Sequence, residues 1–395
     1  MAKYDFSVSN YAKMWGKNAE SRHILTSIVN NEKLIGVNES WYLTQGIVDP
    51  NFTPVDGHGM ATFTVTERNT DVASMANLRA PLGDTDTVDA GGYNTYSATI
   101  PDFITNKISE TAMERKQRED MFAQMGTDRE IIRDIWIPKV QILMQSMNFT
   151  LNWMTAQLQT TGKIHYKNGH GIFSPLHKAP VPEENFVKAS TTAWTDKTAK
   201  IITDMQTIEG DFRSKWGYDG GMQWMMTKKF FINCFLKNDE VLEKVNEFRN
   251  LNDLVAVTFN SINTDVFNNA WENVRTAYGI SPIVIVEEKE YEKDSVSGAT
   301  TPINGWSDNI VVLRPVGDAV RFMRKQILDE TYAAYLNNNV QRNFAPIANG
   351  LGTIVNTTVP NGMYMQWDTT VMFSCVPALV EFSKHVIVDI SQVNG

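Results

Sequence analysis

A stripe of apolar residues at helical spacing dominates the middle of the chain. Its members recur at steps of three and four residues: Ile132, Trp136, Val140, Leu143, Met147, Leu151, Met154 and Leu158. Such steps place side chains on one face of an α-helix. Thr127 and Glu130 form a capping-box pattern before the stripe, and Gly162 is typical of the position just after a helix. Pro138 lies near the start, so the helix either kinks or begins there.

Two stretches upstream of this helix alternate between apolar and polar residues. Phe63 and Val65 share one face of the sequence ATFTVT, and Tyr96 and Ile100 share one face of YSATIP. A period of two predicts half-buried strands. The connection between them is polar and rich in Gly and Asp, which predicts a long two-stranded hairpin. Such a hairpin is marginal alone in water and needs another surface to lie on.

The remainder of the chain predicts an α+β class. A strand follows the long helix at once, in the sequence KIHY, and residues 1–54 show too little periodicity for a packed domain, which predicts an extended arm with short helical pieces. A second helix is predicted over 196–216, closed by Gly217, with one apolar side: Ile201, Ile202, Met205, Ile208, Phe212 and Trp216. Later predictions are a strand at 221–227, a helix at 228–241, strands at 280–291 and 309–320, and two or three closing strands over 363–391.

Composition and charge exclude several classes of protein. With 42% hydrophobic and 21% charged residues, the composition of the 395 residues is that of a globular protein. The net charge of −9 predicts that any contact with DNA is weak or local, since proteins that wrap nucleic acid are usually basic. No apolar run approaches the ~18 residues of a membrane span, and no signal peptide is visible. Cys234 and Cys375 lie in apolar sequence and predict buried free thiols in a reducing compartment.

Clusters that could carry chemistry are weak, and neither a catalytic residue, nor a metal, nor a cofactor is predicted. The sequence contains no phosphate-binding glycine loop and no nucleophile elbow. The aspartates of residues 84–89 depart from a calcium loop, and the histidines of residues 165–177 lack the close pairs of a zinc site. Ordinary loop and strand residues are favoured at both places. The residues of these two groups are Asp84, Asp86, Asp89, His165, His170 and His177.

Four charged stretches favour a structural interpretation. The glutamates of residues 287–292 favour an exposed hairpin over an acid–base pair. The sequence KKFFINCFLK, at 228–237, favours a core face over a surface that stacks single-stranded nucleic acid. The basic patches at 115–118 and 321–325 favour salt-bridged surfaces.

The order of these segments resembles the major capsid proteins of tailed bacteriophages with the HK-97 fold, most closely their lambda-type branch. The sequence LRAPLGDTDTVDAGGYNTYSATIPDFI is similar to the extended loop of that family, and LNWMTAQLQTTGKIHY to the end of its spine helix. The helix, strand and hairpin order of WTDKTAKIITDMQTIEG, GMQWMMTKKFFINCFLKNDEV and GISPIVIVEEKEY is similar to its axial domain, and VPALVEFSKHVIVDI to its closing strand. The resemblance covers most of the chain and rests on order and spacing.

The resemblance implies a division into five regions. These are an N-terminal arm (1–54), an extended loop (55–105), a peripheral domain with the spine helix (106–195), an axial domain (196–345), and closing strands that return to the peripheral domain (346–395).

The resemblance also implies a structural protein rather than an enzyme. Copies would self-assemble as pentamers and hexamers into the icosahedral head shell of a double-stranded DNA phage, with scaffolding, portal and decoration proteins as partners. The shell would enclose DNA without sequence-specific binding, would contact no membrane, and would form in the host bacterial cytoplasm. An encapsulin-like compartment shell and, more remotely, a hydrolase using the glutamates of 287–292 are the alternatives.

Two departures from the family bear on processing. No lysine occurs from Leu34 to Asn106, so covalent cross-linking through the extended loop is not expected. The chain begins at Met1 with a polar arm and shows no coiled-coil leader, so cleavage is not expected either.

The predicted hairpin supplies the candidate contacts between subunits. Its apolar faces would lie on a neighbouring copy, and Arg79 would form an ion pair across the interface; the alternative is a hairpin folded onto its own core. The candidate residues are Phe63, Val65, Arg79, Asp84, Asp86, Asp89, Tyr96 and Ile100.

Overall fold

The computed structural model describes fifteen stretches of the chain. They are residues 41–56, 60–68, 92–101, 104–111, 114, 137–167, 173–248, 264–286, 290–293, 300–303, 305–317, 319–325, 341–347, 351–361 and 364–393. Helices and sheets are mixed along them, which confirms the predicted α+β class.

The helices of the described residues are α1 (Ile137–Thr161), α2 (Ile201–Trp216), α3 (Lys228–Asn233), α4 (Asp239–Phe248) and α5 (Thr264–Tyr278). Among them, none combines the length and the apolar character that a membrane span requires.

The strands, in chain order, are β1 (Gly46–Thr53), β2 (Ala61–Arg68), β3 (Tyr93–Ile100), β4 (Ile104–Glu110), β5 (Lys163–Lys167), β6 (Phe173–Lys178), β7 (Phe186–Ala189), β8 (Met222–Thr227), β9 (Ile283–Val286), β10 (Glu290–Lys293), β11 (Thr300–Ile303), β12 (Ile310–Pro315), β13 (Val320–Lys325), β14 (Gln341–Ile347), β15 (Gly352–Asn361), β16 (Tyr364–Phe373), β17 (Cys375–Leu379) and β18 (Val386–Val393). They form a five-stranded sheet (β7-β18-β12-β8-β9), a four-stranded sheet (β14-β15-β16-β4), a three-stranded sheet (β1-β13-β17) and the pairs β2-β3, β5-β6 and β10-β11.

The long helix α1 confirms the predicted apolar stripe where the structure describes it. Five members of the stripe are buried: Leu143, Met147, Leu151, Met154 and Leu158. Pro138 is the second residue of the helix as the structure describes it. Gly162 ends it with φ 67°, a left-handed conformation, and its N–H donates to the carbonyl oxygen of Leu158 at 2.9 Å. The capping-box residues Thr127 and Glu130 lie outside the described residues.

The structure has two large hydrophobic cores, and α1 contributes to the first of them. The first lies between α1, the β2-β3 hairpin, β13, β16 and β17. The second surrounds α2 and the five-stranded sheet and includes Trp194, Trp224 and Phe235. All six apolar residues predicted for the second helix are buried here, and Gly217 closes that helix with φ 54°. The helix starts five residues later than predicted, at Ile201.

The predicted helix over 228–241 is broken. Residues 228–233 form α3, and α4 starts at Asp239. Between them Asn238 is fully buried, and its side-chain oxygen accepts the N–H of Val241 at 3.0 Å, which caps α4. The phenylalanines of this stretch confirm the core interpretation, since Phe230 and Phe235 lie in the second core. Cys375 is buried and Cys234 is half-buried, and both are free thiols.

The predicted boundary of the N-terminal arm at residue 54 is wrong, because residues 41–53 belong to the folded core. Tyr42 is fully buried, with its ring edge-on to Phe322 at 5.2 Å between centroids. Strand β1 pairs in parallel with β13. A parallel partner that lies so far away in the sequence leaves no local pattern, which explains the error.

Three closing strands are present, but they do not all return to the region of the long helix. Strand β16 pairs with β4, and β17 pairs with β13. Strand β18 instead pairs with β12 and β7 in the five-stranded sheet. The closing segment therefore joins three sheets, and the predicted return of all of residues 346–395 to one domain is corrected.

Candidate functional site

The base of the hairpin, β2 with β3, buries its apolar face within its own chain. The two strands pair in register, with Val65 opposite Tyr96 and Ala61 opposite Ile100. The four predicted contact residues are 1–9% exposed and belong to the first core. This corrects the expectation that Phe63, Val65, Tyr96 and Ile100 lie on a neighbouring copy. Their own core offers an apolar surface, so the hairpin base needs no second chain for its burial.

Polar contacts fasten the same face to residues 379–384. The hydroxyl of Tyr96 donates to the carbonyl oxygen of Leu379 at 3.0 Å, and the ring of Tyr96 lies edge-on to Phe382 at 5.2 Å. The carboxylate of Glu67 accepts the N–H of Ser383 at 2.9 Å and its hydroxyl at 2.6 Å. Burial raises the pKa of Glu67, and the two hydrogen bonds from Ser383 oppose that rise. Burial also raises the pKa of Tyr96.

The hairpin base also contacts β6, and we call this contact the seam. A histidine of β6 lies in it. His177 stacks on the ring of Tyr96 at 6.4 Å between centroids and meets Phe63 edge-on at 6.2 Å. Of the other two histidines in its sequence group, His165 is exposed and His170 lies outside the described residues. Within the described stretches, no group of three His, Cys, Asp or Glu side chains is placed to hold a metal ion.

The opposite face of the hairpin base faces outward and carries hydroxyl groups. Thr64 and Ser97 face each other across the strands with 2.9 Å between their oxygens. Tyr93, on the same face, is 68% exposed. The hydroxyl residues of the face are Thr62, Thr64, Thr66, Thr95, Ser97 and Thr99. The predicted contacts Arg79, Asp84, Asp86 and Asp89 belong to the connection beyond this face and lie outside the described residues.

A groove runs beside strand β1, at the edge of the three-stranded sheet. It is lined by residues 43–44, residues 46–50 and Arg324. The guanidinium of Arg324 lies 4.2 Å from the ring centre of Phe52 and donates to the carbonyl oxygen of Pro50 at 2.8 Å. Arg324, one residue of the basic stretch 321–325, thus stacks on an exposed aromatic ring. The basic stretch at 115–118 lies outside the described residues.

Polar groups line the contact between α1 and the five-stranded sheet. Asn152 accepts the N–H of Tyr42 at 2.9 Å, and His385 donates to the carbonyl oxygen of Gln159 at 2.6 Å. Arg314 is 2% exposed and donates to the side chain of Gln45 at 3.0 Å. Burial lowers the pKa of Arg314 to about 10 and that of His385 to about 4.

Of the glutamates of 287–292, the structure describes only the backbone of Glu290 and Glu292. Glu290 and Glu292 lie in β10, opposite Ile303 and Thr301 of β11, which agrees with the predicted hairpin, while Glu287 and Glu288 lie outside the described residues. The Nζ atom of Lys229 forms a surface ion pair with a carboxylate oxygen of Asp308 at 2.6 Å.

Sequence reasoning missed the contacts that hold the hairpin base. Glu67 continues the inward positions of Ala61, Phe63 and Val65, so a carboxylate at an apolar position was the available signal. Ser383 and His177 carry no such signal, because their partners come from distant parts of the sequence.

Comparisons with known proteins give a distant likeness of fold. No protein-family model and no curated protein matches the chain. A phage-related protein from Bordetella bronchiseptica RB50 matches with a TM-score of 0.44 and 13% identity, over 93% of this chain and 96% of its own. The capsid of cyanophage A-1(L) matches with 0.42 and 11%, over 88% and 91%. The procapsid of satellite phage P4, which includes the size-determination protein Sid, matches with 0.40 and 9%, over 95% and 100%. These values do not by themselves assign a function.

Proposed function

We propose that this chain is the major capsid protein of a tailed double-stranded DNA bacteriophage, with the HK-97 fold. Copies would assemble as pentamers and hexamers into an icosahedral head shell, formed in the host bacterial cytoplasm. Scaffolding, portal and decoration proteins are the proposed partners. The DNA inside would be enclosed without sequence-specific contacts, in keeping with the net charge of −9.

The two-faced hairpin is the observation that carries this proposal. Its inner face is fixed to its own core, so the direction in which the strands leave the subunit is set. Its strands stay paired up to Arg68 and Tyr93, and residues 69–92 connect them. An ordinary hairpin needs about two to five residues there. A connection of this length on a fixed base supplies chain for contacts with neighbouring copies.

The predicted regions fit the proposal with two changes. The first core, around α1, is the proposed peripheral domain, and residues 41–53 join it. The second core, around α2, is the proposed axial domain, and β18 joins its sheet. The interface role now falls on the outward hydroxyl face, Tyr93 and the connection with Arg79, Asp84, Asp86 and Asp89.

Assembly tests the proposal directly. The full chain, expressed with its neighbouring genes, should elute as large particles that electron micrographs show to be closed shells, because repeated heterologous contacts close by symmetry. Packaged DNA inside those shells would support the phage head, and packaged cargo protein would support the encapsulin-like alternative. A monomer under every condition tried would contradict both.

The connection can be tested separately. Replacing residues 69–91 with a short Gly-Ser linker should leave the circular dichroism and the melting temperature close to wild type, yet abolish shells. A Gly-Ser linker of the original length is the matched control, and it should also fail to form shells if contacts rather than spacing matter. Normal shells from the short variant would overturn the role of the connection.

The absence of loop lysines predicts a shell held together without covalent bonds between subunits. Assembled particles on a denaturing gel should give a single band near 44.6 kDa. A ladder of heavier bands would contradict this prediction.

A further inference from the structure

The seam between the hairpin base and β6 contains a buried group that no hydrogen bond satisfies. His177 is 6% exposed, and neither of its ring nitrogens has a hydrogen-bond partner within the described part of the chain. Its ring lies nearly parallel to Tyr96, with 15° between the planes, and at 88° to Phe63. The histidine is thus held by flat apolar contact with the two hairpin strands.

Such a site accepts a neutral imidazole and penalises a charged one. An imidazolium here would lose its hydration without gaining an acceptor, and burying an unpaired charge is costly. Burial accordingly lowers the pKa of His177 to about 4, and no charged neighbour contributes to that shift.

Among the side chains that the structure describes at the seam, the following ionisable groups are bonded elsewhere or exposed. On β2, Glu67 is bonded to Ser383, and on β3 the hydroxyl of Tyr96 is bonded to Leu379. On the strands beside His177, Lys163 and Lys178 are exposed. Next to Ser383, Lys384 lies 3.8 Å from Glu381.

The hairpin base depends on side-chain contacts for its attachment. Strands β2 and β3 form a two-stranded sheet, and an isolated bridge between Val55 and Ala61 is the backbone pairing recorded between them and other described residues. A pair of strands is marginal alone. Loss of these side-chain contacts, which include those of the hairpin in the first core, can therefore free the hairpin while the second core and the five-stranded sheet stay folded.

We propose that the seam is an acid-sensitive fastening, in which protonation of His177 releases the hairpin base from β6. Release exposes the imidazole to water, where it binds its proton readily, so acid favours the released state. The fold would thereby let the hairpin detach and reseat without unfolding of the five-stranded sheet.

The pH range follows from the two protonation states. An exposed histidine has a pKa near 6.5, and the seated one has a pKa of about 4. Stability of the seated state is full above pH 6.5 and is lost as the pH falls toward 4. From pH 8 to pH 5 the released fraction should rise roughly 30-fold. Glu67 acts with the opposite sign, because its raised pKa makes acid favour the seated state, so the upper part of the range shows the histidine effect most clearly.

Hydrogen exchange of the full chain measures this release. We compare peptides from 61–68 and 93–100 with peptides from β8 and β12, at pH 8 and pH 5, after correction for intrinsic exchange rates. The part of the fall in hairpin protection that depends on His177 should be roughly 30-fold relative to the sheet, and the opposing effect of Glu67 is common to the wild type and the variants. His177→Phe, which keeps a flat ring but cannot titrate, should remove this dependence. The peptides from β8 and β12 also show whether protonation of the buried His385 lowers the protection of the five-stranded sheet.

Two further variants keep the test decisive. His165→Phe changes an exposed histidine on the paired strand and should retain the wild-type pH response. His177→Gln is polar and does not titrate, so it gives the same reading if the phenylalanine variant misfolds. The proposal is overturned if the wild-type hairpin keeps its protection at pH 5, or if either His177 variant still loses it.

Discussion

Buried polar groups around α2 and those around α1 differ in how many hydrogen bonds they make within the described residues. Around α2, the carboxylate of Glu209 is 2% exposed and accepts four hydrogen bonds. They come from Nε of Arg213 at 2.9 Å, the indole of Trp224 at 3.0 Å, and both the N–H and the hydroxyl of Ser281, the N–H at 2.9 Å. These bonds join α2 to β8 and to the chain entering β9.

Two more carboxylates fix α2 in the same way. Asp204 accepts the indole N–H of Trp194 at 2.7 Å, as well as the N–H and the hydroxyl of Ser190. Glu240, from α4, accepts the N–H of Ile202 at 2.8 Å and the hydroxyl of Thr203 at 2.6 Å, at the start of α2. Each bond is directional, so the network specifies one arrangement of helix and sheet.

Around α1 and the hairpin base, apolar packing contributes more than hydrogen bonds from buried polar groups. Within the described residues, the hydroxyl of Thr155, both amide atoms of Gln159 and one guanidinium nitrogen of Arg314 are buried without a partner, as is His177. Unmade hydrogen bonds cost free energy, but they also impose no direction. The comparison teaches that hydrogen bonds to buried carboxylates hold α2 in place, whereas several buried polar groups around α1 and the hairpin base add no such bonds within the described residues.

The comparison predicts its largest effect at Glu209. Glu209→Ala should lower the free energy of unfolding by about 3–5 kcal/mol, because it leaves buried donors unpaired. Urea denaturation of the full chain measures this loss. Glu184→Ala, which removes an exposed ion pair with Lys215, is the control and should cost less than about 1 kcal/mol. Equal effects of the two variants would break the comparison.

An intermediate and local effect is expected at Glu67. Glu67→Gln should weaken the two bonds from Ser383, each of the kind worth about 1.5–3 kcal/mol to a charged acceptor. Hydrogen exchange should then rise in residues 61–68 and 93–100 while β8 and β12 stay protected. Ser383→Ala removes one of the two bonds and should give a smaller rise. Equal loss of protection in the sheet would show that the hairpin is not a separate unit.

The smallest effect, with the opposite sign, is expected at Thr155. Thr155→Val replaces an unpaired buried hydroxyl with a methyl group of similar shape, so stability should be unchanged or up to about 1 kcal/mol higher. Thr160→Val is the matched control on the same helix, because the hydroxyl of Thr160 donates to the carbonyl oxygen of Ala156 at 2.8 Å. Thermal melts rank the two variants. A clear destabilisation by Thr155→Val would show that the hydroxyl is satisfied after all.

Local sequence patterns predicted the type of most helices and strands correctly. The errors concern contacts between residues that are far apart in the sequence. The stripe through Leu151 and the alternation through Phe63 each gave an element of the right type, because burial on one face sets their period. The same patterns could not say which surface would cover that face, so Phe63 and Tyr96 were assigned to a neighbouring copy. The place of β18 was missed for the same reason, since its partners β7 and β12 are far away in sequence.

The placement of the last strands has a consequence for the timing of folding on the ribosome. Strands β16, β17 and β18 supply one member each to the four-, three- and five-stranded sheets. In the five-stranded sheet β18 lies between β7 and β12, so earlier strands lack a central neighbour until residues 386–393 have left the ribosome. Synthesis at about 5–20 residues per second means that the chain waits for tens of seconds before any of these sheets is complete. A nascent chain therefore cannot complete any of these three sheets before its β16, β17 and β18 strands have been synthesised.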